Sequence, residues 1–277
     1  MATDTATTCY RHKGRETNVS CSACGRPICP DCMTPTPVGM RCPECSRQKT
    51  KVRTATTLTG RPELTYALIA INVIVYLAQI ATSGHLNGDS GTVFQHGALY
   101  GPLVAHGDWW RVVSAGFLHA SPLHIAFNMY FLWYLGTLLE PAIGKWRFGA
   151  LYVVSLVGGS LGVMIIDPNS VTVGASGAVF GLMGAGILVM RARGIDPMQS
   201  GLVTTLALNL ALPFLLPSLN ISIGGHIGGL ITGGIAGYLM FEIGERRNVA
   251  QRVLLVGCGV MALAIAVACV VVAKSNT

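Results

Sequence analysis

Eight residues near the N-terminus fall into four pairs with two residues between the members of each: Cys9-x2-His12, Cys21-x2-Cys24, Cys29-x2-Cys32 and Cys42-x2-Cys45. Thiolate and imidazole groups at this spacing can reach one metal ion together, and zinc takes four such ligands in a tetrahedron. Eight ligands imply two zinc ions. A disulfide framework would require an oxidising compartment, and it would leave His12 and an odd seventh cysteine unexplained. Segment 1–48 is too short to bury a sizeable core, so bound metal would supply much of its folding energy.

A second group of chemically capable residues is scattered further along. Ser176 sits in "GASG" at 174–177, and His226 sits in "GGHIGG" at 224–229. A serine hydroxyl is a weak nucleophile until a base accepts its proton, and imidazole suits that role near neutral pH. "LHIAFNMY" places His124 and Asn128 at i and i+4, on one face of a helix. A neutral imidazole and a carboxamide can each donate a hydrogen bond to a developing oxyanion. Taken alone, "GASG" fits better a polar, small-residue contact that holds helices together.

These residues need elements to carry them. Only 11% of the chain is charged, 51% is apolar, and there are 34 glycines. Residues 1–61 hold ten Lys/Arg and four Asp/Glu, whereas 62–277 hold nine and eight in a far longer stretch. The first hydrophobic run begins near Leu64, and no secretory signal is visible before it. A helix needs about 20 apolar residues to cross the hydrocarbon. Seven candidate spans follow at roughly 63–82, 121–140, 147–166, 175–193, 200–217, 222–243 and 253–273. With the N-terminus in the cytoplasm, Lys145, Arg147, Arg191, Arg193, Arg246, Arg247 and Arg252 all fall on the cytoplasmic side, against only Arg111 and Lys274 outside. That orientation also leaves the cysteine module in a reducing compartment, as free thiolates require.

In this topology Ser176 and His226 lie at the outer ends of the fourth and sixth spans, and His124 and Asn128 lie at the outer end of the second. Nucleophile, base and oxyanion donors share one depth. Gly174, Gly177, Gly181 and Gly184 on one side, with Gly229, Gly233 and Gly237 on the other, permit close backbone approach. Trp109 and Trp110, in the long outer segment 83–120, are natural interfacial anchors. His85, His96, His106 and His119 share that segment and are expected to face solvent. Glu140 is expected to fix helix packing through hydrogen bonds. Cys258 and Cys269 read as small apolar residues.

From about residue 62 onward the chain resembles the rhomboid family of intramembrane serine proteases. The resemblance is carried by "WWR" at 109–111, "HxxxN" at 124–128, "WYLGTLLE" at 133–140, "GASG" and "GGHIGG". It implies a Ser–His dyad without an acid, with Ser176 as nucleophile and His226 as general base. It assigns Asn128, His124 and the Ser176 backbone N–H to the oxyanion hole. It implies a six-helix core, here followed by a seventh helix, acting on transmembrane helices of other proteins. Some members carry a tyrosine four residues after the nucleophile; Phe180 stands there instead, able to stack on His226 but without a hydroxyl. The paired cysteines resemble a B-box-type zinc finger. That likeness implies a cross-brace, with Cys9, His12, Cys29 and Cys32 on one ion and Cys21, Cys24, Cys42 and Cys45 on the other. A sequential arrangement would use the same residues.

The expected fold is thus an all-α polytopic membrane protein, rhomboid-like, with a small N-terminal zinc-binding domain. The expected organisation is a module at 1–48, a basic juxtamembrane linker at 49–62 and a transmembrane domain at 63–273. The expected activity is a serine endopeptidase cleaving transmembrane helices near the outer face of the cell membrane. Partners would be transmembrane substrates, the bilayer, and an unidentified protein at the zinc module. Seven thiolates and two zinc ions bring the formal charge of the N-terminal part from +6 to about +3, so nucleic-acid binding has little support. The alternatives are a catalytically silent binder of membrane helices and a zinc-finger membrane scaffold. Transport is disfavoured because few charges line the spans.

Overall fold

A computed structural model describes residues 7–36, 39–47, 61–216 and 221–276. Contacts divide the chain into two compact units, Met1–Leu58 and Thr59–Thr277, and each is described by itself. Of the expected linker 49–62, residues 49–60 lie outside the described residues.

The N-terminal unit has little regular structure. A short 3-10 turn, Pro30–Cys32, leads to strands β1 (Thr34–Thr36) and β2 (Gly39–Arg41), which pair antiparallel, followed by helix α1 (Pro43–Ser46). Its buried cluster is made almost wholly of metal-ligand types: Cys9, Cys21, Cys29, Cys32, Cys42 and Cys45, joined by Ile28. One fully buried aliphatic side chain is far too little apolar burial to offset the conformational entropy of ordering such a segment.

The second unit is helical. Its elements are α2 (Glu63–Ser83), the short α3 (Gly91–Gly97), α4 (Gly101–Ala105) and α5 (Arg111–Ser114), then α6 (Pro122–Ile143), α7 (Lys145–Ile166), α8 (Ser176–Ala192), α9 (Leu202–Leu215), α10 (Ile223–Gly237) and α11 (Gln251–Ser275). A π-helical stretch, Tyr238–Glu245, prolongs α10. Helices thus occupy all seven stretches expected to be spans. Glu63–Ser83, Lys145–Ile166, Ile223–Glu245 and Gln251–Ser275 are long and apolar enough to cross a membrane. Helices α8 and α9 are shorter apolar helices. Helix α6 has the length, but His124, Asn128 and Glu140 interrupt its apolar run.

Helices α7, α8 and α10 form the centre, with α11 laid against α7. They approach closely because glycines face one another. A Cβ on Gly229 would overlap the Gly177 carbonyl, and one on Gly233 would overlap the Gly181 backbone. On the other side of α10, a Cβ on Gly162 would overlap the Gly224 carbonyl, and one on Gly158 the Thr232 side chain. Without a hydrophobic drive between helices in lipid, such backbone contact is what association relies on.

Buried polar groups pin the remaining helices. Glu140, 3% exposed, accepts hydrogen bonds from the Leu64 and Thr65 N–H groups at 2.9 and 2.8 Å and from the Thr65 hydroxyl at 2.6 Å. The N-cap residue of α2 is Pro62, which offers no side-chain cap. Glu140 therefore takes over the capping of α2 from a distant part of the chain, with its charge at the favourable end of the helix dipole. Arg111, also buried, donates to Asp108 Oδ2 at 2.9 Å and to the Gln95 and Ala98 carbonyls at 2.7 and 2.8 Å, tying down the segment between α2 and α6. Cys258 and Cys269 are buried and free, as small apolar residues would be.

Gly229→Val is expected to wedge α8 from α10 and lower the thermal midpoint in detergent by several degrees, the scale of overpacking a tight contact. Gly234→Ala, where an added Cβ meets open space, is expected to leave the midpoint unchanged. Equal midpoints for the two variants would remove the glycine contact as the basis of the packing.

Candidate functional site

Two capped helix starts and one uncapped start converge at one end of the bundle. Ser121 is the N-cap of α6, and its side chain accepts the His124 N–H at 3.1 Å. Pro122 occupies the first helical turn, where its missing N–H costs nothing. His124 and Asn128 are thereby held in the first two turns of α6. Ser222 is the N-cap of α10, accepting the Gly225 N–H at 3.2 Å, and His226 follows in the next turn. Ser176 is the first residue of α8; its N-cap, Ala175, provides no side-chain cap. The N–H groups of that first turn therefore have no helical partner, and they carry the positive end of the helix dipole.

The loop before α8 is fixed from behind. Leu99 and Thr172 exchange two backbone hydrogen bonds at 3.0 and 2.9 Å, and the Gly174 N–H donates to the Ala115 carbonyl at 2.9 Å. Gly174 has φ +125°, which a side chain would strain. A Cβ there would also come within 2.7 Å of His124 Nε2 and 3.9 Å of Asn128 Nδ2. Two donor-bearing side chains of α6 therefore lie directly against the turn that precedes Ser176.

On the other side, the ring of Phe180 stacks on the ring of His226, with centroids 3.9 Å apart and an interplanar angle of 16°. Ser176 and Phe180 are at i and i+4 on α8, so the hydroxyl stands one turn above the stacked ring on the same face. The close contact of Gly177 with Gly229 locks the two helices at this level. No hydrogen bond links the Ser176 hydroxyl to the imidazole in this resting geometry, and buried His226 Nδ1 also has no partner. Resting sites often hold such pairs apart and tighten them when substrate binds. A cleft beside Ser176 is lined by small and hydroxyl-bearing residues, among them Gly116, Gly159, Ser160, Thr172 and Ser222.

The tautomer of His124 is legible. Its Nδ1 accepts the Ala120 N–H at 3.3 Å, so in the neutral ring Nε2 carries the proton, and Nε2 is the atom facing Gly174. Asn128 donates one amide hydrogen to the His124 carbonyl at 3.0 Å and keeps a second one free.

Of the segment's histidines, His85, His96 and His106 are exposed, as expected, but His119 is not. It is fully buried, its ring nitrogens have no hydrogen-bond partner, and its ring packs edge-on against His124 at 5.1 Å and Tyr76 at 6.4 Å. The reason is that the chain dips into the bundle just before α6. Gln79 of α2 grips His119 there, accepting its N–H at 3.0 Å and donating to its carbonyl at 3.0 Å. Burial, then the neighbouring His124, hold the His119 pKa down to about 3 against the opposing influence of the Phe117 carbonyl. His119 was expected outside, and Gln79 and Ser121 were not singled out from the sequence. The available signals were a carboxamide within an apolar span, one of two there with Asn72, and a Ser-Pro pair opening a helix.

In the N-terminal unit the ligand atoms fall into two groups, each within 4.8 Å: Cys9, His12, Cys29 and Cys32, and Cys21, Cys24, Cys42 and Cys45. His12 Nδ1 lies 3.9, 3.2 and 3.4 Å from the sulfurs of Cys9, Cys29 and Cys32. The Cys24 and Cys42 sulfurs are 3.8 Å apart. A tetrahedral ion with metal–sulfur bonds of about 2.3 Å places its sulfurs about 3.8 Å apart. Both groups could therefore hold a metal ion. All the cysteines are free.

Residues 106–243 match the family described as Rhomboid domain. Rhomboid protease GluP of Bacillus subtilis is 33% identical over 50% of this chain and 27% of its own length. RHOMBOID-like protein 5 of Arabidopsis thaliana is 47% identical over 34% of this chain and 31% of its own. Rhomboid protease AarA of Providencia stuartii is 30% identical over 47% of this chain and 52% of its own. The chain thus spans between about a quarter and a half of these relatives.

Metal analysis of the purified chain is expected to give about two ions, and Cys32→Ser and Cys42→Ser about one each; a value near zero for the unaltered chain would reject the metal sites. The depressed His119 pKa has its own consequence. The unfolded ring takes up a proton below about pH 6.5 that the folded ring refuses until about pH 3. Stability contributed by the neutral ring is therefore present above pH 6.5 and drains as pH falls toward 3. The midpoint is expected to fall between pH 7 and 4, and to fall less in His119→Phe. An equal fall in both proteins would assign the acid sensitivity elsewhere.

Proposed function

Given the rhomboid domain at residues 106–243, we propose that this protein is an intramembrane serine endopeptidase that cuts transmembrane helices of other proteins near the outer face of the cell membrane. The observation that carries this reading is the position of the Ser176 turn. It lies between the donors of His124 and Asn128 on one side and the His226 ring, stacked on Phe180, on the other.

Ser176 Oγ attacks the scissile carbonyl carbon while His226 takes the hydroxyl proton. The carbonyl oxygen becomes an oxyanion and accepts hydrogen bonds from the Ser176 N–H, His124 Nε2–H and Asn128 Nδ2–H. Collapse expels the amine, which receives the proton from His226. Water, activated by the same imidazole, then hydrolyses the acyl-enzyme. A helical carbonyl is shielded by its own hydrogen bond, so the substrate must unwind locally. The half-buried Ser176, at the end of its helix, suits entry of water. The bias of basic residues supports an N-terminus in the cytoplasm.

Residues 1–48 form a zinc module, 49–62 a linker and 63–273 the catalytic domain. The two ligand groups bind zinc in a cross-brace, with a structural role only. The module presents its surface to a protein partner, and nucleic acid is not its ligand.

Ser176→Ala is expected to abolish cleavage of a transmembrane reporter, a loss of at least about 10³-fold, with unchanged folding. A serine-directed phosphonate should label the unaltered protein and not the variant. Retained cleavage or labelling in Ser176→Ala would remove Ser176 as nucleophile.

A further inference from the structure

Gln79 is a fully buried amide in the first membrane helix, and its side-chain hydrogen bonds are all with main chain. Its Nε2 donates to the Gly88 carbonyl at 2.8 Å and to the His119 carbonyl at 3.0 Å, and its Oε1 accepts the His119 N–H at 3.0 Å. The carboxamide therefore pairs with His119 much as a neighbouring strand would, although no strand is present there.

The peptide unit joining residues 119 and 120 has a second end. Its carbonyl is the one bonded to Gln79, and its N–H, on Ala120, is the group that donates to His124 Nδ1 at 3.3 Å. Carbonyl and N–H of one peptide point in opposite directions in one plane. Fixing the carbonyl fixes where the N–H points. That N–H in turn decides which nitrogen of the His124 ring is left to carry the proton. The His119 ring, packed edge-on against His124 at 5.1 Å, resists rotation of the ring about its bond.

We propose that Gln79 is a positioning residue: it holds the peptide between His119 and Ala120 so that His124 presents Nε2–H, and not a bare nitrogen, to the turn before Ser176. The proposal rests on the reading of His124 as an oxyanion donor, but the geometry it concerns is independent of which residue is the nucleophile. A bare nitrogen facing an oxyanion would repel it. Loss of the tautomer therefore costs the reaction a donor and adds a repulsion, while substrate binding is untouched.

The test uses the full chain in detergent with 15N-labelled histidine. The His124 signal, assigned by its disappearance in His124→Gln, is expected to show a protonated Nε2 and an accepting Nδ1, both in the unaltered protein and in Ser176→Ala. In Gln79→Met, which keeps the volume and loses every bond, the two tautomers are expected to mix. The kcat for a fluorogenic transmembrane-helix reporter is expected to fall about 10- to 100-fold with KM unchanged, a partial loss beside the roughly 10²–10³ of removing one oxyanion donor outright. Should Gln79→Met not fold, Gln79→Asn, too short to reach both groups of His119, takes its place with the same expectation. A proton on Nδ1 in the unaltered protein overturns the proposal. So does a folded variant with unchanged kcat, or one whose loss lies in KM alone. If the unaltered protein cleaves no reporter, the protease reading fails while the nitrogen spectrum still decides the tautomer.

Discussion

Close contact between glycine backbones is the constraint on which everything else depends. Helices α8 and α10 touch where Gly177 meets Gly229 and Gly181 meets Gly233, and α7 meets α10 where Gly162 faces Gly224. Side chains at those positions would hold the helices apart by the width of a methyl group or more. Ser176 is one residue before the first of these contacts, and His226 is three residues before its partner. The distance between two candidate reacting groups is therefore set by residues that carry no chemistry. In lipid this is an economical device, because packing and weak polar contacts are all that distinguish one helix neighbour from another.

Around that contact, polar side chains act on main chain more than on each other. Ser121 and Ser222 cap helices, Arg111 gathers carbonyls, Glu140 caps a helix distant in sequence, and Gln79 imitates a strand. Each of these side chains meets a main-chain group that the bilayer could not solvate. The candidate site inherits its rigidity from this arrangement: His124 is held at its main-chain N–H by Ser121 and at its ring by Ala120.

Much of this was legible in the sequence, for identifiable reasons. Runs of apolar residues located the helices, because hydrophobic length is a one-dimensional property. Pairs at a spacing of two located the two Cys/His groups that could hold a metal ion, because chelating spacing is local. The face shared by His124 and Asn128 followed from helical periodicity. What could not be read was long-range. Nothing in residues 83–120 says that His119 turns inward while His85, His96 and His106 stay outside, since that depends on Gln79, forty residues earlier. The span read at 222–243 covers α10 and most of its continuation, but the switch to π-helical winding at Tyr238 was not readable.

Glu140 carries a consequence for biogenesis. The amides that open the first membrane helix are completed by a carboxylate 75 residues downstream. When that helix enters the bilayer from the ribosome, its partner has not been translated, so interfacial water must satisfy those amides in the meantime. The first helix can insert early but can dock only after the second has arrived with its carboxylate. Membrane integration and tertiary assembly are thus separate events for this segment, and translation of the intervening residues sets the least interval between them.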